Sequence, residues 1–272
     1  MVSFEMAKKN TSALHEVDGV SPPETTNKIA ADKIKATRNK QYTVDEYVKE
    51  ILNGDIPFLS RAITLVESTK ASHQEKANAI LEQCLPHANK SIRIGITGVP
   101  GVGKSTFIES YGTYLTTKNK KVAVLAIDPS SSVNKGSILG DKTRMMELGK
   151  HERAFIRPSS SGGNLGGVAK KTREALLLCE AAGFNYIFVE TVGVGQSETL
   201  VAQLVDCFLF LAMPGTGDEL QGLKKGIMEM TDIIAINKSE PPNTPAGERS
   251  ALAIRSALQL FTNKKFDWHP PV

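Results

Sequence analysis

Residues 92–108 read Ile92-Arg93-Ile94-Gly95-Ile96-Thr97-Gly98-Val99-Pro100-Gly101-Val102-Gly103-Lys104-Ser105-Thr106-Phe107-Ile108. An apolar run of strand type passes into G-x-x-x-x-G-K-[ST] over 98–105, and a helical pattern follows at once. That strand–loop–helix context separates a phosphate cradle from a glycine-rich turn with a solvated lysine. The glycines let the backbone wrap a polyphosphate so that several N–H groups point at its oxygens. The helix N-terminus adds positive partial charge at the same place. Lys104 is placed to neutralise β- and γ-phosphates, and the Ser105 hydroxyl to hold Mg²⁺. The nucleotide-contacting set is therefore Gly98, Val99, Pro100, Gly101, Val102, Gly103, Lys104, Ser105 and Thr106.

Outward from this stretch the same texture repeats. Apolar β-type runs occur at 92–97, 122–127, 154–157, 186–190, 207–212 and 233–236, with helical patterns between them, the clearest at 104–117, 167–182 and 220–229. Strands that are apolar at nearly every position belong in a sheet covered on both faces. Their alternation with helices predicts an α/β fold of the P-loop NTPase kind, with a doubly wound, mostly parallel sheet. Upstream, residues 1–42 read as a polar, extended or partly disordered arm carrying Pro22-Pro23. Residues 43–89 read as a helical extension with helices near 43–53, 57–69 and 73–86, and 90–272 as the nucleotide-binding domain. Thr43-Val44-Asp45-Glu46 and Ser72-His73-Gln74-Glu75 have the form of helix N-terminal caps. Ile63, Leu65 and Val66 on the second helix and Ala77, Ile80 and Leu81 on the third supply one apolar face each.

Composition narrows the classes. The net charge of +4 over 272 residues, without a basic stripe interleaved with aromatics, gives no nucleic-acid reading. No apolar run approaches the length of a membrane span. Cys84, Cys179 and Cys207 are scattered, as expected for a reducing compartment, and no cluster of histidine or cysteine marks a metal store. The N-terminus has neither the apolar segment of a signal peptide nor the acid-poor character of a transit sequence, so cytoplasm is the expected location.

The remaining motifs fall at carboxyl ends of strands, where such folds bind ligands. Asp128, before Pro129-Ser130-Ser131, is either a member of the Mg²⁺ shell or a turn-forming Asp-Pro. The Ser/Gly-rich stretch 128–141 suits a switch loop ordered by γ-phosphate and Mg²⁺, and Asp141 either reaches the metal or caps a helix beginning at Lys142. In Glu190-Thr191-Val192-Gly193, the acid lies near the metal and the Gly193 N–H near the γ-phosphate. Lys104, Glu190 and Gly193 are the candidate catalytic groups, and Ser105, Asp128, Asp141 and Glu190 the candidate metal ligands. The stretch 213–226, with Pro, Gly and acid in a row, is a second switch or a partner-contacting lid. Asn237-Lys238-Ser239-Glu240 has the form by which guanine-specific proteins read the base. Asn237 and the Lys238 stem brace the pocket, and Glu240 stands one methylene longer than the usual aspartate.

Together Gly98–Thr106, Asp128–Ser131, Gly140-Asp141-Lys142-Thr143-Arg144-Met145, Leu165-Gly166-Gly167-Val168-Ala169, Glu190–Ser197, Gly217–Gly222 and Trp268-His269-Pro270-Pro271-Val272 make the chain resemble the MeaB/ArgK/MMAA GTPases, which serve adenosylcobalamin-dependent methylmalonyl-CoA mutase. The likeness spans roughly residues 43–272. It implies a slow GTPase, with GTP/GDP and Mg²⁺ as ligands, that docks on methylmalonyl-CoA mutase. Such a protein gates delivery of intact cobalamin cofactor and removal of damaged cofactor. It also implies that Gly215–Gly226 is a third switch coupling nucleotide state to the mutase. Members of the family continue past the position of Val272 into a final strand, a guanine-capping Ser-Ala loop and a C-terminal dimerisation arm. Those parts are missing from the sequence as given, which leaves guanine affinity and the family's homodimer open. The competing readings are a nucleotide-responsive scaffold without efficient hydrolysis and a P-loop small-molecule kinase. The kinase lacks an identifiable base and acceptor pocket. A nickel insertase is disfavoured by the want of a His-rich or paired-Cys site.

Overall fold

The apolar runs become β1 (Ile92–Thr97), β2 (Val122–Asp128), β3 (Ala154–Ser160), β4 (Tyr186–Thr191), β5 (Cys207–Ala212) and β6 (Ile233–Ile236). The structure is a computed structural model that describes residues 41–128, 145–160, 165–191, 197–215, 225–259 and 268–272. The helices are α1 (Val44–Leu52), α2 (Ile56–Glu67), α3 (Ala71–Cys84), α4 (Lys104–Thr117), α5 (Met146–Lys150), α6 (Leu165–Ala181), α7 (Ser197–Ala202), α8 (Lys225–Met230) and α9 (Thr244–Gln259). The strands lie in the order β3-β2-β4-β1-β5-β6, and every described pairing is parallel. The expected doubly wound α/β sheet is therefore present. From β1 the chain runs outward to β2 and β3, then returns to β4 and continues through β5 to β6 on the other side. The direction of winding reverses beside β1, and the phosphate loop leaves β1 at that switch point.

Burial explains the apolar runs of the strands. Ile96, Val122, Val124, Phe188, Leu209 and Leu211 meet Ile108 and Leu115 of α4 and Met145 and Leu148 at α5. The alternate residues Ala123, Leu125, Ile187 and Val189 are equally buried and point to the opposite face. Each fully buried large side chain contributes about 1.5–3 kcal/mol. A second cluster joins Phe210, Ala212 and Ile234 to Met228 of α8 and Ile254 of α9. Residues Thr43–Val272 form one compact unit, in which α2 packs on α1, α3 and α6. The buried stripes are Leu59, Ala62, Ile63 and Val66 on α2 and Ala77, Ile80 and Cys84 on α3, with Leu65 and Leu81 half-buried beside them. Arg157 of β3 ties α2 down, its Nη2 2.5 Å from Glu67 Oε2 and its Nη1 3.2 Å from Ser60 Oγ. Burial pushes the Cys84 thiol up to about 11, so it stays protonated and inert. The arm expected at 1–42 lies outside the described residues except for 41–42, as do 220–224 of the helix expected at 220–229. Among the described residues, no helix is long and apolar enough to cross a membrane.

Helix starts confirm one expectation and correct another. Thr43 and Glu46 form a full capping box, with Thr43 N donating to Glu46 Oε2 at 2.7 Å and Glu46 N to Thr43 Oγ1 at 3.2 Å. Ser72 does not cap α3, which begins at Ala71 with Lys70 at the cap position and no side-chain cap bond. Ser68 organises that entry instead, accepting from Lys70 N at 3.3 Å and lying 2.9 Å from His73 Nδ1. The first turn of α5 is capped from another element: Glu109 Oε1 of α4 accepts from Glu147 N at 2.8 Å and Leu148 N at 3.2 Å.

Two edge features shape the sheet. Val122 N donates to Arg153 O at 2.9 Å, so Arg153, Phe155 and Arg157 turn their peptide groups to β2. Pro158 then faces the open edge, where its missing N–H removes no ladder bond. At their starts, three strands are clamped by the residue preceding a neighbouring strand. Asn185, Asp206 and Asp232 donate their backbone N–H to Lys121 O, Arg93 O and Phe208 O, each at 2.9 Å. Their side chains accept in return from Lys121 N at 2.9 Å, Arg93 N at 2.8 Å and Phe208 N at 2.7 Å. Phe208 is buried, so Asp232→Ala strands its N–H. We expect a loss of about 1–3 kcal/mol, read as a lower Tm or denaturation midpoint, with Asp232→Asn retaining most of the stability because it keeps the acceptor oxygen.

Candidate functional site

The loop between β1 and α4 is wound by left-handed glycines. Gly98, Gly101 and Gly103 have φ of 146°, 80° and 100°. A Cβ on Gly98 would strike the Leu211 carbonyl, and one on Gly103 the Asn237 amide. The backbone therefore lies against the tips of β5 and β6 in a way only glycine permits. Val102 is fully buried and anchors the loop to the core, while Pro100, Gly101 and Thr106 are exposed and Val99 is half-buried. Gly103 occupies the cap position of α4 and no side chain caps that helix. Its first N–H groups are left for an anion.

Lys104 is buried, and its ammonium donates to Gly98 O at 2.7 Å and Val99 O at 3.2 Å. A buried ammonium requires strong acceptors, and the loop's own carbonyls supply them. On the next residue, Ser105 Oγ donates to Glu190 Oε1 at 2.9 Å. Glu190 reaches this place because β4 lies between β1 and β2, with Glu190 paired to Ile96 on one side and Ala126 on the other. The hydroxyl and carboxylate expected at the metal are thus in contact. Both are hard oxygen donors of the kind Mg²⁺ takes. Among the described residues no group of three or more His, Cys, Asp or Glu is gathered for a metal. Asp128 is the last residue of β2, next to β4. Asp141 and Gly193 lie outside the described residues, as does most of the expected switch stretch at 128–141.

The string Asn237-Lys238-Ser239-Glu240, expected to read a base, sits on the other side of the loop. Asn237 N donates to Ala212 O at 2.8 Å and its Nδ2 to Val102 O at 2.8 Å. Lys238 takes the left-handed conformation, φ 57°, rare for a residue with a Cβ, and its Nζ donates to Gly101 O at 2.8 Å. Asn237 and Lys238 thus brace the phosphate loop itself, while Glu240 is exposed on the same turn.

One contributor was not anticipated from the sequence. Helix α9 holds both loops on this side: Thr244 Oγ1 donates to Ser239 O at 2.9 Å, Gly247 leaves room for the Ser239 side chain, and Gly215 N donates to Ser250 Oγ at 3.1 Å. The available signal was Asn243-Thr244-Pro245, a polar cap followed by proline in the first turn. The segment 216–224, assigned to a switch, lies outside the described residues.

Comparison with known proteins agrees with this geometry. The family model for the methylmalonyl-CoA mutase-associated GTPase MeaB matches residues 59–272. A protein of Caulobacter vibrioides is 56% identical over 229 residues, covering 84% of this chain and 70% of its own length. GTPase ArgK of Escherichia coli is 48% identical over 230 residues, 85% of this chain and 70% of its own length. A crystal structure described as an LAO/AO transport system kinase superposes with a TM-score of 0.70 at 40% identity, covering 86% of this chain and 68% of the other. With a P-loop at the switch point of a parallel sheet and a family match across most of its length, the chain belongs to the MeaB family of methylmalonyl-CoA mutase-associated GTPases.

Proposed function

We infer that the chain is a slow GTP-hydrolysing chaperone that acts on an adenosylcobalamin-dependent methylmalonyl-CoA mutase in the cytoplasm, gating cofactor loading and protecting the loaded enzyme. The observation that carries the GTPase part is the contact between Ser105 and Glu190 beside the uncapped N-terminus of α4. The family description, mutase-associated GTPase, supports the partner.

In this reading the backbone N–H groups of 98–106 bind the phosphates, and Lys104 takes up charge that develops on the β- and γ-phosphates. Mg²⁺ would be held by Ser105 and Glu190, with Asp128 and Asp141 as further ligands, and would neutralise phosphate charge there. Water attacks the γ-phosphorus, the bond to the β–γ bridging oxygen breaks, and GDP and inorganic phosphate leave. Glu190 is the candidate group for orienting that water, and the Gly193 N–H a candidate donor to the γ-phosphate. Asn237, Lys238 and Glu240 form the guanine side. Because Asn237 and Lys238 also hold the P-loop, base recognition and phosphate binding share the same support.

Lys104→Ala is expected to abolish GTP turnover or weaken GTP binding by about a hundredfold or more, measured by phosphate release and calorimetry; wild-type turnover in that variant would remove Lys104 from the assignment. Titration with GDP, ADP and IDP should rank GDP first, because the carboxylate of Glu240 accepts from guanine's N1–H and amine. Glu240→Asp should raise GDP affinity without altering ADP binding, and equal affinity for all three nucleotides would contradict the guanine reading. Adding the mutase should raise the hydrolysis rate; a flat response across mutase concentrations would separate a GTPase from a mutase chaperone.

A further inference from the structure

Directly behind the Ser105–Glu190 contact lies a pair of buried hydroxyls that the proposed chemistry does not use. Thr97, the last residue of β1, and Thr191, the last of β4, are each 1% exposed. Thr191 Oγ1 donates to Thr97 Oγ1 at 3.0 Å and lies 3.4 Å from Ile96 O. The surrounding positions in the same row are apolar: Ile127 pairs with Thr191, and Phe210 with Thr97. A valine of the same shape would fit either place without the burden of a buried hydroxyl, so a hydroxyl pair is a specific choice.

Its position gives the reason. Thr97 immediately precedes Gly98, where the P-loop starts, and Thr191 immediately follows Glu190. Side chains alternate along a strand, so Thr191 pins the tip of β4 from the sheet face opposite the one on which Glu190 meets Ser105. We propose that Thr97 and Thr191 are positioning residues for the GTPase site: their bond sets the tip of β4 against the root of the P-loop and so holds the Glu190 carboxylate in register with the Ser105 hydroxyl. The inference rests on the GTPase reading above. A misplacement of about 1 Å at such a site lowers turnover by as much as a hundredfold.

The test uses the full chain with Thr97→Val, Thr191→Val, the double variant and Thr191→Ser, read by Tm, GTP turnover and the Mg²⁺ dependence of GDP affinity. Thr191→Val takes the Thr191 donor from the buried Thr97 hydroxyl, and Thr97→Val leaves the Thr191 hydroxyl only the long contact to Ile96 O, so each should lower Tm. The double variant removes both, and its Tm should return to within about 2 °C of the wild type. Turnover should behave differently: about tenfold or more below wild type in both single variants and still so in the double variant, with a matching loss of the Mg²⁺-dependent part of GDP affinity. Thr191→Ser, which keeps the hydroxyl, should restore both. Recovery of turnover and Mg²⁺ dependence together with Tm in the double variant would mean a purely structural pair and would overturn the proposal. A wild-type chain that neither binds GDP nor releases phosphate would instead overturn the GTPase reading on which it stands.

Discussion

The hydrogen bond from Asn237 Nδ2 to Val102 O is the constraint on which the rest of the site depends. A loop whose N–H groups are to receive an anion can spare few of them to hold itself, so its carbonyl side is gripped from behind. Asn237 grips it at Val102, Lys238 at Gly101, and Lys104 from beneath at Gly98 and Val99. The close approach of Gly98 to Leu211 and of Gly103 to Asn237 follows from the same demand. With its carbonyls engaged and only the Val102 N–H spent on an internal turn, to Val99 O at 3.2 Å, the loop is preorganised for a polyphosphate, and its shape is built into the tips of β5 and β6.

That arrangement ties α9 to the support of the phosphate loop. Thr244 and Gly247 fix Ser239, two residues from Asn237, and Ser250 fixes Gly215 at the start of the loop after β5. The two loops on this flank are therefore referenced to one helix. A displacement of α9 would be felt at both of them, and through Asn237 at the phosphate loop.

Much of this was legible in the residues. Strands covered on both faces leave continuous apolar runs, and all six were readable for that reason. The P-loop was legible because its glycines answer backbone demands that no other residue meets. What escaped depended on partners distant in sequence. Ser72 looks like a cap by local spelling, but α3 starts before it and Ser68 organises the entry. Glu109 caps a helix 38 positions away, and no periodicity encodes such a meeting. The clamps made by Asn185, Asp206 and Asp232 read as ordinary turn residues until the strand order is known. Likewise the pairing of Ser105 with Glu190 needed β4 to lie beside β1, a fact of topology rather than of motif.

Pro158 has a consequence beyond the nucleotide. The outer margin of β3 presents its peptide groups at alternate residues, and Ala154 N is already engaged by His151 O at 3.0 Å. With proline at 158, Ile156 keeps the one outward amide in the middle of that margin. An incoming extended chain would find the donors of Ile156 and Ser160 separated by a proline where a regular ladder needs an unbroken series. The large, strongly apolar sheet of this chain is thereby made a poor template for aggregation on that flank, a protection that matters most while the chain is newly made and its surface not yet closed.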